Sequence, residues 1–400
     1  MKYWYVALLL IGCVSTRRSD QESDLLFQRG QYGQAAARLK KGLDAQGVDG
    51  RDLLLYLLDY ALTLHTMGSY EESSKYFLQA DKLADIKDYT SLAMETATLL
   101  VSENTKDYKG EDFEKVLINV YLAMNYALKG DSEDALVEAR RVNHKIGLMV
   151  SEGKKKYKEN AFAQYVSAVL YEANGDFDDA RIEYEKVAKK DIPLVGQDLW
   201  RVAHAQHDYE QEKVISARYG LNQSDYDEAV KALTGSEIIV LYENGIGPIK
   251  VPNPQSQELP IFKARYNPVY KAGVYINDVY KKDTVALENI EVTAIENLRE
   301  KYGGMVAKKI GGHVAKYLIA DQIGRNDSLL GLAAYVALLA ADQADCRSWQ
   351  LLPQSLQVAR IALDPGSYRL SLHTSRGVLQ EKMIVLDKKQ KVFVNMRFTP

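Results

Sequence analysis

Two carboxylates, Glu111 and Glu114, stand three residues apart in the stretch Y-K-G-E-D-F-E. Paired carboxylic acids are the catalytic groups of glycan-cleaving enzymes, in which one carboxyl acts as a general acid. Arg140 and Arg141 could lie near the pair. The alternative is a buried ion-pair network that clamps this segment onto the rest of the protein, and we favour that interpretation because such pairs are more often structural.

Two histidines, His204 and His207, lie one helical turn apart in W-R-V-A-H-A-Q-H-D-Y-E, and Asp208 follows them. Imidazoles at this spacing can share a metal ion, but a catalytic zinc site needs three protein ligands and a structural one needs four. The stretch G-I-G-P (245–248) lacks the third glycine of a dinucleotide fingerprint and reads as a turn. We therefore expect surface histidines, no metal and no cofactor.

Cys13 ends an apolar run at the start of the chain. Residues 3–11 are apolar or aromatic, which is too short to span a bilayer but suits the core of a secretory signal. The letters L-I-G-C match a bacterial lipobox, whose cysteine is acylated after the preceding peptide is removed. We expect a signal peptide over 1–12 and a tether over 13–23; the alternative is an ordinary signal peptide with a chance cysteine. Val14, in place of aspartate, indicates sorting to the outer membrane.

Composition excludes some classes of function. The 400 residues are 46% hydrophobic and carry a net charge of −3, so a packed core is expected and a nucleic-acid partner is not. Beyond Cys13, Cys346 is the remaining cysteine, and a single thiol forms no internal disulfide. The apolar run 328–341 is too short to cross a membrane and predicts a buried helix, or else a shallow interfacial one.

A repeat occupies the first half of the chain. Copies align on Gly30, Gly68, Gly130 and Gly175, and a weaker fifth copy covers 224–233. Each aligned glycine is followed five residues later by a small residue and nine later by a packing residue: Ala35, Ser73, Ala135 and Ala180, then Leu39, Phe77, Ala139 and Tyr184. This alternation is typical of helical hairpins and resembles tetratricopeptide (TPR) repeats, with longer spacings that predict elongated helices or insertions such as 102–115.

A TPR solenoid has a concave groove that usually binds peptides or proteins. The groove positions of the TPR pattern fall on mostly apolar residues: Leu58, Leu62, His65, Val120, Met124, Tyr165, Val169 and Glu172. A bare apolar groove is an aggregation liability. Either its ligand is apolar, or the later part of the chain fills it, and we favour the second.

The residue pattern changes near residue 236, where short runs rich in β-branched residues begin. Strands are expected at 236–243, 273–280 and 284–288, and in a C-terminal meander with a D-P-G turn. Between them, apolar residues that recur at intervals of three or four residues predict a helix over 290–318, interrupted at Gly303-Gly304. The apolar helix 328–343 is expected to follow it. The fold class is α+β: a TPR-like all-α solenoid over 24–235, then a β-sandwich-like domain over 236–400 with helices inserted around 290–343.

Four stretches together resemble an uncharacterised family of TPR-containing lipoproteins of Gram-negative bacteria. They are Y-K-G-E-D-F-E-K-V, A-R-R-V-N, V-L-Y-E-N-G and A-D-C-R-S-W-Q-L-L-P. The resemblance covers nearly the whole chain and implies an architecture and an envelope location, but no reaction. The last motif more often has threonine where Cys346 stands. Its Arg347 and Trp349 belong to the residue types that dominate binding sites, and the alternative is that Trp349 seals the junction of helix and sheet.

Two functions follow. The first is a non-enzymatic adaptor that is lipid-anchored through Cys13 at the periplasmic face of the outer membrane and binds envelope proteins, with Leu58, His65, Met124, Tyr165, Glu172, Arg347 and Trp349 as candidate contacts. The second is an enzyme that acts on the cell wall through Glu111 and Glu114. No Ser-His-Asp, Cys-His or metal motif is visible in the sequence, which favours the first. The apolar helix at 328–343 is expected to pack against the inserted helix at 290–320 and the concave side of the solenoid.

Overall fold

The computed structural model describes residues 20–94, 106–151, 160–190, 192, 194–324, 332 and 343–400. Cys13, the leader 1–12, most of the tether and nearly all of the 328–343 segment lie outside the described residues. The first half of the described chain is helical, with α1 to α11 at Gln21–Gln28, Tyr32–Gln46, Leu53–Thr66, Tyr70–Met94, Asp112–Lys129, Ser132–Ser151, Ala161–Asn174, Phe177–Ala188, Leu194–Ala205, Tyr209–Tyr219 and Gln223–Thr234.

The repeat glycines end the first helix of each hairpin. Gly68, Gly130 and Gly175 have φ of 82°, 80° and 82°, a left-handed conformation that glycine adopts without steric cost. Five residues later, the small residues Ala35, Ser73, Ala135 and Ala180 are fully buried where the paired helices meet. In the second hairpin the Ser73 hydroxyl donates to the Ala61 carbonyl, 2.8 Å away across the helix pair. The predicted TPR-like hairpins are therefore confirmed.

Long second helices and one insertion account for the wide repeat spacing. Helix α4 has 25 residues and α6 has 20. The described part of the insertion runs along the surface of the solenoid, where the Tyr108 N–H donates to the Arg51 carbonyl at 2.9 Å. It then leads directly into α5 at Asp112.

The described residues of the second half form three sheets. Strands β1 to β10 are Ser236–Asn244, Ile249–Asn253, Ser256–Lys263, Gly273–Ile276, Val279–Asp283, Val285–Asn289, Ser355–Leu363, Gly366–Thr374, Gly377–Leu386 and Lys391–Phe398. Four strands form the central sheet in the order β10-β1-β7-β6, with β1 and β10 parallel. Four more form the outer sheet in the order β5-β4-β8-β9, and β2 pairs with β3.

Two details of the predicted strands are wrong. The run 273–280 is a hairpin, since Asn277 and Asp278 take φ of 50° and 65° and turn the chain between β4 and β5. The C-terminal strands do not form a simple meander either. The D-P-G turn carries the chain from β7 in the central sheet to β8 in the outer sheet, and β10 returns to pair with β1.

The central sheet is buried on both faces. One face packs against the outer sheet through a core that includes Ile238, Val240, Val274 and Leu372, which makes the predicted β-sandwich. The other face, with Ile239 and Leu241 at alternate positions of β1, joins the core of the helical solenoid. All nine residues of β1 are buried. The chain is thus layered as solenoid, central sheet and outer sheet.

Helix α12, Ile290–Gly324, runs without a break through Gly303 and Gly304, so the predicted interruption is wrong. Its first turns are buried at Ile290, Ala294 and Leu298, whereas several side chains of its later part are exposed. The central sheet and the segment before β7 pack on the concave side of the solenoid. Within the described residues, no helix has both the length and the apolar content needed to cross a bilayer.

Candidate functional site

The predicted groove residues lie at the interface between the solenoid and the central sheet. Leu58, His65, Met124, Tyr165 and Glu172 are each at most 4% exposed. The apolar ones belong to the same core as Ile239 and Leu241 of β1. The interpretation that the chain fills its own groove agrees with these contacts. The prediction that these residues form an open surface for a partner is wrong in this structure, because strands of the same chain already cover their side chains.

His65 is the centre of a buried polar cluster that joins α3 and α5 to β1 and β10. Its Nδ1 donates to the Asn125 side-chain oxygen at 2.5 Å, and its Nε2 lies 3.1 Å from Glu243 Oε1. The second oxygen of Glu243 accepts from the Tyr121 hydroxyl at 2.8 Å and from Arg397 at 2.9 Å. The side chain of His65 therefore holds the second repeat to the sheet and is not exposed to a ligand.

The electrostatics of this cluster favour an ionised Glu243. Burial alone would raise the pKa of the Glu243 carboxyl, but Arg397 and the donated hydrogen bonds outweigh burial and lower it from 4.5 to about 2. Arg397 also donates to the Leu351 carbonyl at 2.9 Å. A single ion pair is thus fixed between two strands and tied to the segment that precedes β7.

Glu172 belongs to a larger ion-pair network between α7, α9 and the sheet. Its carboxylate accepts from Arg201 at 2.9 and 2.8 Å and from Arg360 at 3.0 and 3.2 Å. The network contains three acidic and three basic side chains, all nearly or fully buried: Glu172, Asp198, Glu237, Arg201, Arg360 and Lys391.

The charges of this network balance, and two tyrosines complete its hydrogen bonds. The Tyr184 hydroxyl donates to Glu172 and the Tyr165 hydroxyl donates to Asp198, each at 2.7 Å. Burial would raise the pKa of Glu172, but Arg201 and Arg360 hold it well below its ordinary value. Buried charges that are paired and fully hydrogen-bonded in this way fix one geometry between two elements. Glu172 therefore joins the two halves of the chain, and Tyr165 supports the network from within the solenoid.

Glu111 and Glu114 lie at the start of α5 under the β2–β3 hairpin and α12, at 8% and 1% exposure. Glu111 pairs with Lys250 at 2.5 Å and with Lys301 at 3.0 Å. Arg140 and Arg141 are elsewhere: Arg140 donates to the Tyr171 hydroxyl and Arg141 pairs with Glu138. The clamp that we favoured is present, with lysines in place of the expected arginines.

The two carboxylates have different environments. Glu114 accepts from the backbone N–H of Glu111 at 2.9 Å, from the backbone N–H of Trp349 at 2.7 Å and from the Tyr108 hydroxyl. Burial and then the neighbouring Glu111 raise the pKa of Glu114 to about 7, whereas the two lysines overcome burial and lower the pKa of Glu111. Opposed pKa values are a feature of acid–base pairs. Both groups are enclosed by protein, however, so a glycan chain has no access to them.

Arg347 and Trp349 precede β7 and are both 2% exposed. Arg347 donates to Asp345 at 2.9 and 2.7 Å and lies 3.3 Å from Asp52, while its guanidinium stands over the Tyr108 ring. Trp349 packs against both Phe77 and Tyr121, with ring centroids 5.8 and 5.6 Å away. The alternative interpretation, that Trp349 seals the junction of helix and sheet, agrees with these contacts. The prediction that Arg347 and Trp349 are exposed binding residues is wrong in this structure, because both side chains are buried.

The histidine pair is divided between two environments. His204 stacks on Trp200 with ring centroids 4.8 Å apart, and its Nδ1 lies 3.1 Å from Glu212. His207 sits in the turn before α10 with φ of 58°. In the described part of the chain, no group of three or more His, Cys, Asp or Glu side chains is placed to hold a metal ion.

Sequence reasoning missed the members of both networks that lie on the strands. Glu237 and Glu243 stand six residues apart in S-E-I-I-V-L-Y-E, and Arg360 interrupts L-Q-V-A-R-I-A-L. Charged residues at even spacing within apolar strands share one face of a sheet. That pattern could have indicated a charged interface on the solenoid side.

The outer surface of the solenoid carries large aliphatic residues on the second helix of successive hairpins. Their exposed fractions lie between 39% and 59%: Leu78 and Ile86 on α4, Val137 and Leu148 on α6, Ile182 on α8 and Val214 on α10. An open concavity of about 570 Å³ lies near the α3–α4 turn, lined by Tyr70, Lys75, Tyr76 and Lys129 among others. These surfaces, unlike the groove, are accessible.

No family model matches the sequence, and no curated protein matches it. Several solved structures can be superposed on part of the chain at low similarity. Nearly identical TPR-like repeats of a Podosopora anserina kinesin light chain overlay 53% of this chain and 95% of theirs, at 14% identity and TM-score 0.35. The Rap conjugation gene regulator of plasmid pLS20, solved with the Phr* peptide, overlays 80% of this chain and 71% of its own, at 9% identity and TM-score 0.30.

A third structure, a tetratricopeptide repeat protein from Parabacteroides merdae, overlays 53% of this chain and 95% of its own, at 12% identity and TM-score 0.18. The fold class is established by the helices and sheets described above.

Proposed function

We propose that this protein is a lipoprotein of the Gram-negative envelope, anchored through Cys13 at the periplasmic face of the outer membrane, and that it is a non-enzymatic adaptor for envelope proteins. The lipobox, Val14 and the four family-like stretches support the anchor and its location. The observation that carries the adaptor role is the exposed aliphatic row on the second helices, exemplified by Val137 and Ile182.

The buried networks direct this proposal to the outer faces. With the groove filled by the central sheet, the partner surface is the convex side, where Leu78, Val137 and Ile182 stand on consecutive hairpins. Exposed apolar groups distributed along a rigid scaffold are a common basis for protein binding.

The anchor is tested by Cys13→Ser. The variant should stay unprocessed and take up no radioactive palmitate, whereas the unsubstituted chain is labelled. Palmitate incorporation into the variant would contradict the assignment of Cys13.

The adaptor role is tested by a photoreactive amino acid placed at Val137 or at Ile182 in living cells, with Glu210 on α10, an exposed polar position, as control. Mass spectrometry should identify the same envelope protein at the first two positions and not at the third. Absence of any shared product would contradict a binding surface on the second helices.

The enzymatic alternative is tested directly. Purified protein should leave peptidoglycan intact, and the double variant Glu111→Gln, Glu114→Gln should lose stability without the loss of any turnover. If the unsubstituted chain degraded peptidoglycan and the double variant did not, the adaptor proposal would be contradicted.

A further inference from the structure

Strand β9, Gly377–Leu386, is the longest strand of the outer sheet and forms one of its edges. Across the ladder between β8 and β9, Met383 stands opposite Arg369. The Arg369 backbone bonds on its other side, where its carbonyl accepts from the Asn277 N–H and its own N–H donates to the Asn277 side chain, each at 2.9 Å. Opposite residues of an antiparallel pair direct their backbone groups either toward each other or apart. The N–H and C=O of Met383 therefore point away from the sheet.

Glu381 and Val385 have the same orientation as Met383, because the direction of the backbone groups alternates along a strand. Together these three residues form the free row of β9. Within the part of the chain that the structure describes, no backbone–backbone hydrogen bond beyond the ladder with β8 reaches this row. Met383 is 70% exposed and Val385 65% exposed, and β9 contains no proline. An edge strand with free N–H and C=O groups is a template for a further strand.

Other strand edges nearby are occupied by side chains. On β10, at the edge of the central sheet, the Asn395 carbonyl accepts from the Lys382 ammonium at 2.7 Å. Lys382 is thus turned toward the central sheet and does not guard the free row of its own strand. At the opposite edge of the outer sheet, β5 has five residues, and its Lys282 pairs with Glu228 on α11 at 2.6 Å. Among these edges, β9 is the accessible one.

The charge around β9 is opposite in sign to that of the whole chain. Residues 375–390 contain four basic and two acidic residues, whereas the 400 residues carry a net charge of −3. The exposed Arg376 lies in the turn before β9, and the exposed Lys388 and Lys389 lie in the turn after it. Antiparallel pairing of two copies through β9 would bring Lys388 and Lys389 of one copy close to Arg376 of the other. Like charges at both ends disfavour a second copy and favour an acidic guest.

We propose that β9 accepts an extended segment of a partner protein as an additional antiparallel strand. The backbone of the segment bonds to the free row, and its apolar side chains at alternate positions lie beside Met383 and Val385. Acidic residues at its two ends meet the arginine and the lysines of the flanking turns. This docking edge is separate from the aliphatic row on the solenoid and from the anchor at Cys13, and it requires neither of them.

The test measures amide hydrogen exchange along β9 in the full chain, by mass spectrometry with fragmentation to single residues. The probe is the peptide acetyl-D-V-T-V-T-V-D-amide, and the control peptide has lysine in place of both aspartates. With the probe at about ten times its Kd, exchange at Glu381, Met383 and Val385 should slow about tenfold. The amides of Lys382 and Ile384 face β8 and are already protected, so they report whether the ladder with β8 is intact.

Met383→Pro removes the central N–H of the free row without removing a bond to β8, and it should abolish the slowing, whereas Met383→Thr keeps the N–H and should retain it. If Met383→Pro loses the protection at Lys382 and Ile384, Val385→Pro takes its place. Unchanged exchange in the free row with the probe would overturn the proposal, and so would equal slowing by the lysine peptide or by the probe on the proline variant. Slowing that rises with protein concentration in the absence of peptide would assign the edge to a second copy and overturn it as well.

Discussion

Arg360 on β7 and Glu172 on α7 face each other across the solenoid–sheet interface, with two guanidinium–carboxylate hydrogen bonds of 3.0 and 3.2 Å. The two residues are 188 positions apart in the chain. Arg360 also donates to Glu237 on the neighbouring strand at 2.7 Å. One guanidinium therefore ties the helical hairpins to two strands of the central sheet and makes the two halves of the chain a single unit.

Replacement of Arg360 by methionine should destabilise the protein by about 3–5 kcal/mol, because three buried carboxylates would then face only two cations. That loss is a large share of the stability of a typical protein. The measurement is urea unfolding followed by circular dichroism. Arg360→Lys should be nearly as harmful, since an ammonium cannot reproduce the bidentate contacts.

The matched control is Arg369→Met, which removes an exposed ion pair with Asp278 and should cost less than about 1 kcal/mol. The double variant Arg360→Met, Glu237→Gln should recover part of the loss, because it restores charge balance. Equal stability of Arg360→Met and Arg369→Met would show that the network does not hold the interface.

The Glu243 carboxylate should make the protein sensitive to acid. Its pKa is lowered to about 2 in the folded chain, so its contribution is complete above about pH 4.5 and is lost as the pH falls toward 2. Glu243→Gln should therefore be less stable than the unsubstituted chain at pH 6, and the difference should shrink at pH 3. Glu381→Gln, on the exposed side of β9, is the control and should show no such trend. A constant difference from pH 6 to pH 3 would contradict an ionised Glu243.

The sequence predicted the hairpins and the filled groove because both depend on local, repeated features. A glycine every few tens of residues, with small residues five positions later, is visible without any knowledge of the fold. Leu58, Met124 and Val169 at groove positions implied a covering surface. The sequence did not indicate that strands take part in the cover, because an apolar helix and an apolar strand can fill a groove equally well. The helix expected at 328–343 lies almost wholly outside the described residues.

Sheet membership and the pairing of the buried charges could not be predicted from sequence patterns, although the spacing of Glu237 and Glu243 indicates a charged face. The D-P-G turn predicts a reversal of the chain but does not indicate whether β7 and β8 pair or belong to different sheets. Arg360 lies on a strand and Glu172 on a repeat helix, so their proximity follows only from the packing of α7 on the sheet. Gly303 and Gly304 weaken a helix but do not end it, and α12 continues through both.

Glu114 should lower stability as the pH rises toward neutrality. Its folded pKa is raised to about 7, so between pH 4.5 and 7 the folded chain holds a proton that the unfolded chain releases, and folding weakens with increasing pH. Glu114→Gln should remove this slope, although an amide NH2 cannot accept from the Glu111 N–H as the carboxyl oxygen does, which should cost about 1–3 kcal/mol at pH 5. Unfolding free energies at pH 5, 6 and 7 decide the matter: an unchanged slope in the variant would contradict a raised pKa at Glu114.

Removal of the β-rich half should expose the groove. In a chain that ends at Thr234, Leu58, Val120, Met124 and Val169 lose the sheet that covers them, and each of the larger side chains forgoes roughly 1.5–3 kcal/mol. Glu172 keeps Arg201 but loses Arg360 and Lys391. The fragment should bind a hydrophobic dye, aggregate and melt at a lower temperature than the full chain, as measured by dye fluorescence, light scattering and calorimetry. A monomeric, dye-silent fragment with an unchanged melting temperature would mean that the helices satisfy the groove themselves, and the ion pairs of Arg360 would then be dispensable for the solenoid.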